Sequence, residues 1–219
     1  MTSANDEMAE INEPAVDRAR ELQMEHYLSE TDRAAVEQLS ERYRELVPPE
    51  RLEAVRQQDT IFESDRDAFD ARYERETGKR LEPGKRILGY SFGASESPRV
   101  ATDYLEVPHV IFHERLHTLS APGIERELGK GLDEGITEEL AIDNLGAEPL
   151  EGDWESYSRE RETARELRTL CGDEAIESAY FQGDTRALRA CLDRELGPQG
   201  LERLREYLDG PTEEPEPRR

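Results

Sequence analysis

Apolar positions along the chain recur mostly at the three- and four-residue spacing of an amphipathic helix, and two short stretches break that rhythm. In TDRAAVEQLSERYRELV, Ala35, Leu39, Tyr43 and Leu46 fall on one stripe, Thr31 stands where an N-cap would, and Pro48 and Pro49 end the run. Arg51 to Gln58 and Ser64 to Thr77 continue in the same style, with Gly78 as a C-terminal stop. Residues 15–78 therefore read as a helical annex with amphipathic stripes and no evident chemistry. The texture changes at Lys79. ILGYSF (87–92) and VATDYLEV (100–107) are short, β-prone and bounded by Gly, Ser and Pro, which predicts a hairpin or two neighbours in a small sheet. The helical period returns from Pro108 through VIFHERLHTL, pauses in the loop SAPGIERELGKG, and resumes in GLDEGITEELAIDNLG. Three or four more helices follow over about 154–171, 173–181, 184–196 and 198–208, separated by Gly172, Gly183 and Gly197. Residues 1–14 and 211–219 read as disordered tails, the first acidic. The pattern predicts a helix-dominated α+β chain whose folded core spans 79–210.

Composition narrows the function. The 219 residues carry 29 basic and 52 acidic side chains, a formal charge of −23, which leaves no broad basic footprint for nucleic acid or for an anionic membrane surface. The acidity itself reads as a solvated surface. No apolar run reaches the length of a membrane span, and MTSANDEMAEINEP lacks the apolar segment of a secretory signal. A cytoplasmic location is the default expectation, and export by a dedicated secretion machine would leave no mark here. Cys171 and Cys191 both lie in helix-like runs, ELRTLC and ALRACL, and read as two reduced, packed thiols.

Candidate chemistry sits in His113-Glu114-Arg115-Leu116-His117. On a helix His113 and His117 are one turn apart on one face, so both imidazoles can reach one metal, and neutral imidazole suits zinc. Glu114 lies about 100° round the helix, beside the metal rather than on it, where it can take a proton from a zinc-bound water and pass it to a leaving amine. The apolar approach Val110-Ile111-Phe112 predicts that this helix is buried. Zinc needs a third protein ligand. Glu134, in Asp133-Glu134-Gly135-Ile136-Thr137-Glu138, lies one loop and the start of a helix beyond His117. Glu138 shares its face one turn on and can accept the free ring N–H of a ligating histidine. His109, four before His113, shares the histidine face as an accessory metal-site or substrate residue, or caps the helix start. Trp154, Phe112 and Phe181 read as core.

HERLH followed by LDEGITEELA resembles the gluzincin branch of the zincin metallopeptidases, over about residues 107–145. The resemblance implies His113, His117 and Glu134 as ligands to one zinc per chain, Glu114 as general base and Glu138 as the acid that orients a ligand. It also implies a zincin-like fold, in which a small twisted sheet with an edge strand along the cleft precedes the active-site helix and a helical C-terminal half. Tyr180-Phe181-Gln182-Gly183 is similar to a tyrosine setting in aminopeptidase-N-like members, which makes Tyr180 the candidate oxyanion stabiliser, with Tyr157 and Tyr104 as substitutes. Gly93-Ala94-Ser95-Glu96 faintly resembles the strand that reads the substrate amino terminus in those enzymes. Two departures stand out. Asp133 replaces the common Asn, and Arg115 is charged where the family prefers an uncharged residue, so that face meets solvent or an acidic neighbour. The expected activity is hydrolysis of peptide bonds in a protein or peptide substrate, with a catalytically inactive, acidic protein-binding module as the alternative.

Overall fold

The computed structural model describes residues 13–82, 85–93, 96–103, 107–146 and 157–210. Its first helix, α1 (Glu13–Arg42), runs through Thr31 instead of starting there. The Thr31 hydroxyl donates to the Tyr27 carbonyl one turn back, at 2.9 Å, which satisfies it inside a helix and removes the need for a cap. The proline pair opens the next element: Pro48 is the N-cap of α2 (Pro49–Arg56) and Pro49 its first residue, where a missing N–H costs nothing.

A strand then appears where the helical pattern was expected to continue. β1 (Ile61–Glu63) precedes α3 (Arg66–Thr77), which Asp65 caps at its start and Gly78, at φ 69°, closes in the left-handed conformation. β2 (Gly89–Tyr90) and β3 (Arg99–Ala101) form the expected antiparallel pair, with Gly89 opposite Val100 and Tyr90 opposite Arg99. β1 adds to β3 in parallel, Phe62 opposite Val100, so the sheet is mixed and ordered β1-β3-β2. A three-residue strand with two apolar positions shows no alternation to read, and its parallel partner lies far along the chain.

The rest is helical: α4 (Val107–Leu119), α5 (Ile124–Leu128) inside the predicted loop, α6 (Lys130–Leu145), α7 (Ser158–Cys171), α8 (Asp173–Glu177) running into a π-helical turn (Ser178–Gln182), α9 (Arg186–Leu196) and α10 (Gly200–Asp209). One apolar cluster joins Ala35 and Leu39 of α1 and Tyr43 just after it to Ile111 and Leu116 of α4, Leu132 and Leu140 of α6, and Leu192 and Leu204 beyond. The N-terminal helices therefore share the core that holds α4. Each fully buried leucine in it contributes on the order of 1.5–3 kcal/mol of apolar burial.

α4 is buried over nearly its whole length, as its apolar approach predicts. Arg115, 1% exposed, meets the acidic neighbour expected of it: Asp32 of α1 accepts its Nε at 2.7 Å and its Nη2 at 2.5 Å, and the Thr60 hydroxyl bonds the same carboxylate. α6 and α7 pack so closely at Gly135 that a Cβ there would stand 2.3 Å from the Glu160 carbonyl oxygen. Cys171 and Cys191 are not separate thiols. α8 and the π turn fold α9 back across α7, bringing the two Cα atoms to 5.7 Å, and the sulfurs are joined in a disulfide. No helix among the described residues is long and apolar enough to cross a membrane.

Candidate metal centre

α4 and α6 cross so that the histidine face of one looks onto the Glu134 face of the other. His113 Nε2 stands 3.2 Å from His117 Nε2 and 3.3 Å from Glu134 Oε2, and His117 Nε2 stands 3.5 Å from the same oxygen. Three donor atoms thus make a nearly equilateral triangle. Tetrahedral ligands held about 2.0–2.1 Å from one zinc ion lie roughly 3.3–3.4 Å apart, so the triangle has the size that a shared ion requires. The three side chains are 10%, 17% and 16% exposed, so the centre is sunken but not sealed. A cavity of about 290 Å³ reaches it from the Glu134 side, bordered by Lys130, Tyr157, Glu160 and Asp209.

Around the triangle, each predicted partner can be placed. Glu138 Oε2 accepts from His113 Nδ1 at 3.1 Å, the orienting contact expected of it. Burial would raise the Glu138 carboxyl, but hydrogen bonds from His109 and His113 pull it down to about 2. Burial likewise pulls the His113 and His117 imidazoles down, and the surrounding carboxylates, Glu134 foremost with Glu138 and Glu114 at His113 and Asp133 at His117, together outweigh it, leaving both above their usual value. Glu134 is held well below the carboxylate range: burial opposes this, and the two histidines overcome it.

Glu114 is 5% exposed, and its Oε2 has no hydrogen-bond partner among the described residues. Burial raises its carboxyl, partly offset by His113 and His117. A raised carboxyl with one unengaged oxygen beside the two histidines is a fitting proton acceptor. Room for it comes from Gly89 on the edge strand β2, where a Cβ would stand 2.6 Å from Glu114 Oε1.

Tyr180 is not brought to the histidines. It is fully buried, its hydroxyl paired with Thr137 Oγ1 at 2.7 Å and its ring against Phe181. The tyrosine beside the site is Tyr157, at the start of α7. Its ring lies 6.1 Å from that of His113 with 18° between planes. Burial, then the Glu134 and Glu114 charges, push its phenol up, so it stays a neutral donor. Tyr104, Trp154, Ala94 and Ser95 lie outside the described residues.

Two further residues belong to the arrangement. His109 Nε2 donates to Glu138 Oε2 at 3.0 Å, so this histidine joins the buried network rather than capping the helix. Asp133 Oδ2 lies 3.6 Å from His117 Nδ1, near enough for charge attraction and too far for a hydrogen bond. Burial pushes its carboxyl up to about 6, His117 opposing and Glu134 adding to the rise. The signal for both was present as helical spacing from His113 and Glu134, but in a chain this acidic such spacing has little weight alone. Comparison with protein-family models, with curated proteins and with solved structures finds no match for this chain.

Proposed function

We propose that this chain is a zinc-dependent hydrolase of the zincin kind that cleaves peptide bonds. The observation that carries the reading is the triangle of His113 Nε2, His117 Nε2 and Glu134 Oε2, with edges of 3.2, 3.3 and 3.5 Å. Three protein donors on one side leave a position for substrate or water, which separates a catalytic zinc site from a closed structural one. Zinc held there would polarise a carbonyl and lower the pKa of water.

The remaining roles fall to the chain. Glu114 takes the proton from the attacking water and returns it to the departing amine; its free oxygen and raised carboxyl suit both transfers. Glu138 fixes the ring of His113. Tyr157 replaces Tyr180 as the donor beside the reacting carbonyl, because its ring lies against that of His113 and Tyr180 spends its hydroxyl on Thr137. The choice of a peptide bond rests on the resemblance of HERLH and LDEGITEELA to gluzincins.

Elemental mass spectrometry on protein purified without a metal-affinity tag tests the centre. About one zinc per chain is expected in the wild type, and its loss in both His117→Ala and Glu134→Ala. Turnover of a mixed peptide library, read by mass spectrometry, tests the chemistry. Zinc present with no cleavage would favour the non-catalytic, acidic binding module instead. No zinc after adding it back would remove the proposed catalyst.

A further inference from the structure

We infer that His109 acts through Glu138 to set the tautomer of His113, and so is a positioning residue one layer outside the metal centre. The inference rests on the metal-binding reading for its purpose, but its structural content stands on three buried side chains. His109 and His113 are one turn apart on α4, and Glu138 comes from α6 between them. One oxygen, Glu138 Oε2, serves both rings: it is 3.0 Å from His109 Nε2 and 3.1 Å from His113 Nδ1. A carboxylate oxygen accepts and cannot donate, so both nitrogens carry the hydrogen. A neutral His113 with its proton on Nδ1 has its lone pair on Nε2, the atom that points at His117 and Glu134.

The second donor is what makes the contact firm. A terminal carboxylate turns easily about its last torsion, and one hydrogen bond leaves that rotation loose. Two donors from rings fixed on one helix pin the same oxygen from both sides. His117 shows the contrast: the carboxylate facing its Nδ1, Asp133, stands 3.6 Å away, and Asp133 Oδ1 has no hydrogen-bond partner among the described residues.

His109, His113 and Glu138 also lie close enough together to hold an ion of their own. Two facts favour the hydrogen-bonded relay. An ion there would have to take His113 Nδ1, stripping the proton that leaves the ring neutral while Nε2 serves the first site. The side chains of His109, His113 and Glu138 are 1%, 10% and 3% exposed, which leaves no opening for an ion's remaining ligands.

The test uses the full chain and three variants. His109→Leu removes the donor. His109→Asn keeps a polar side chain of similar bulk but stops short of Glu138. His109→Gln puts an amide nitrogen close to where the imidazole Nε2 lies. Long-range ¹H–¹⁵N correlation spectra of the metal-free proteins, above the pH at which the imidazoles lose their charge, report which nitrogen of His113 holds the proton. Zinc affinity is read by competition with a chromophoric chelator, and thermal unfolding in excess chelator shows that each variant is folded. In the wild type, the proton of His113 is expected on Nδ1, 3.1 Å from the doubly held Glu138 oxygen, in preference to Nε2, 3.3 Å from Glu134. In His109→Leu and His109→Asn a mixture of tautomers is expected, with zinc binding weakened roughly 10- to 100-fold, and His109→Gln should restore both. An unchanged His113 tautomer in folded His109→Asn would overturn the inference. So would two zinc ions in the wild type, one of them lost on replacing His109. A wild type that takes up no zinc would sink the metal centre alone, because the tautomer comparison is made without metal.

Discussion

Glu114 is the residue on which turnover depends if the proposed chemistry is right. Its glutamine variant keeps the shape and cannot accept the proton. Glu114→Gln is expected to lower kcat by about 10²–10⁴-fold with zinc content unchanged, a scale typical of a lost general base. Retained turnover in that variant would remove Glu114 from the mechanism. The histidines give a second residue-scale expectation, and its sign can be worked out. Both imidazoles sit above their ordinary value near 6.5 in the metal-free fold, because Glu134 and the other carboxylates around them together outweigh burial. Their charged forms therefore add stability that is complete below that ordinary value and fades as pH rises through the raised one. Zinc takes only an unprotonated ring nitrogen, so its stabilisation grows with pH. The gap in Tm between zinc-loaded and metal-free protein should widen from about pH 6 to about pH 8. A gap that narrows over that range would contradict the ligand assignment. At this scale the candidate cluster was legible: helical spacing puts His113 and His117 on one face, and the resemblance of LDEGITEELA pointed to Glu134, which the fold brings beside them. The tyrosine was not. Tyr157 and Tyr180 both flank helices, and which one faces the histidines depends on how α7 and the π turn are packed.

Between elements, two contacts outside the His113–His117–Glu134 triangle hold the helices that carry it. The Asp32–Arg115 pair is buried and bidentate, and Arg115 also donates to the Gln58 carbonyl. Removing one partner leaves an uncompensated charge in the core. Asp32→Ala is expected to cost about 3–5 kcal/mol in denaturant unfolding, and an Asp32→Leu/Arg115→Met pair should recover much of it. A loss below about 1 kcal/mol would mean that the pair is solvated and does not anchor the helix. Gly135 is the second contact. A methyl group there must push α7 away from α6 next to Glu134, so Gly135→Ala should destabilise by about 1–3 kcal/mol and weaken zinc binding as well. Intact zinc affinity in that variant would show that α7 can shift without disturbing the ligand. Helical periodicity revealed α4 and α6 as elements and the inward face of each, but the partner of the buried Arg115 on α4 was identified only once α1 was laid across it.

For the molecule as a whole, the disulfide closes the C-terminal helices on themselves. Its partners are 20 residues apart. Linking a loop of that length is worth about 3 kcal/mol by restriction of the unfolded chain. The Cys171→Ser/Cys191→Ser variant should lose about that much in chemical unfolding, and added reductant should then have no further effect on it. Equal stability of the wild type with and without reductant would show that the bond contributes little.

Local pattern, read without any fold, was enough to reveal most helices, two of the strands, the burial of α4 and the one-face spacing of His113 and His117, because each is a matter of short-range spacing along the chain. Tertiary structure alone decided the rest. β1 exists because β3 offers it a parallel edge, and its three residues carry no signal of their own. Cys171 and Cys191 pair because α9 returns across α7. Tyr180 goes to the core while Tyr157 comes to the histidines, and Glu138 meets His109 as well as His113, because α6 and α7 approach α4 at particular angles. These contacts join residues distant in sequence, and the free energy that selects them is that of packing the common core.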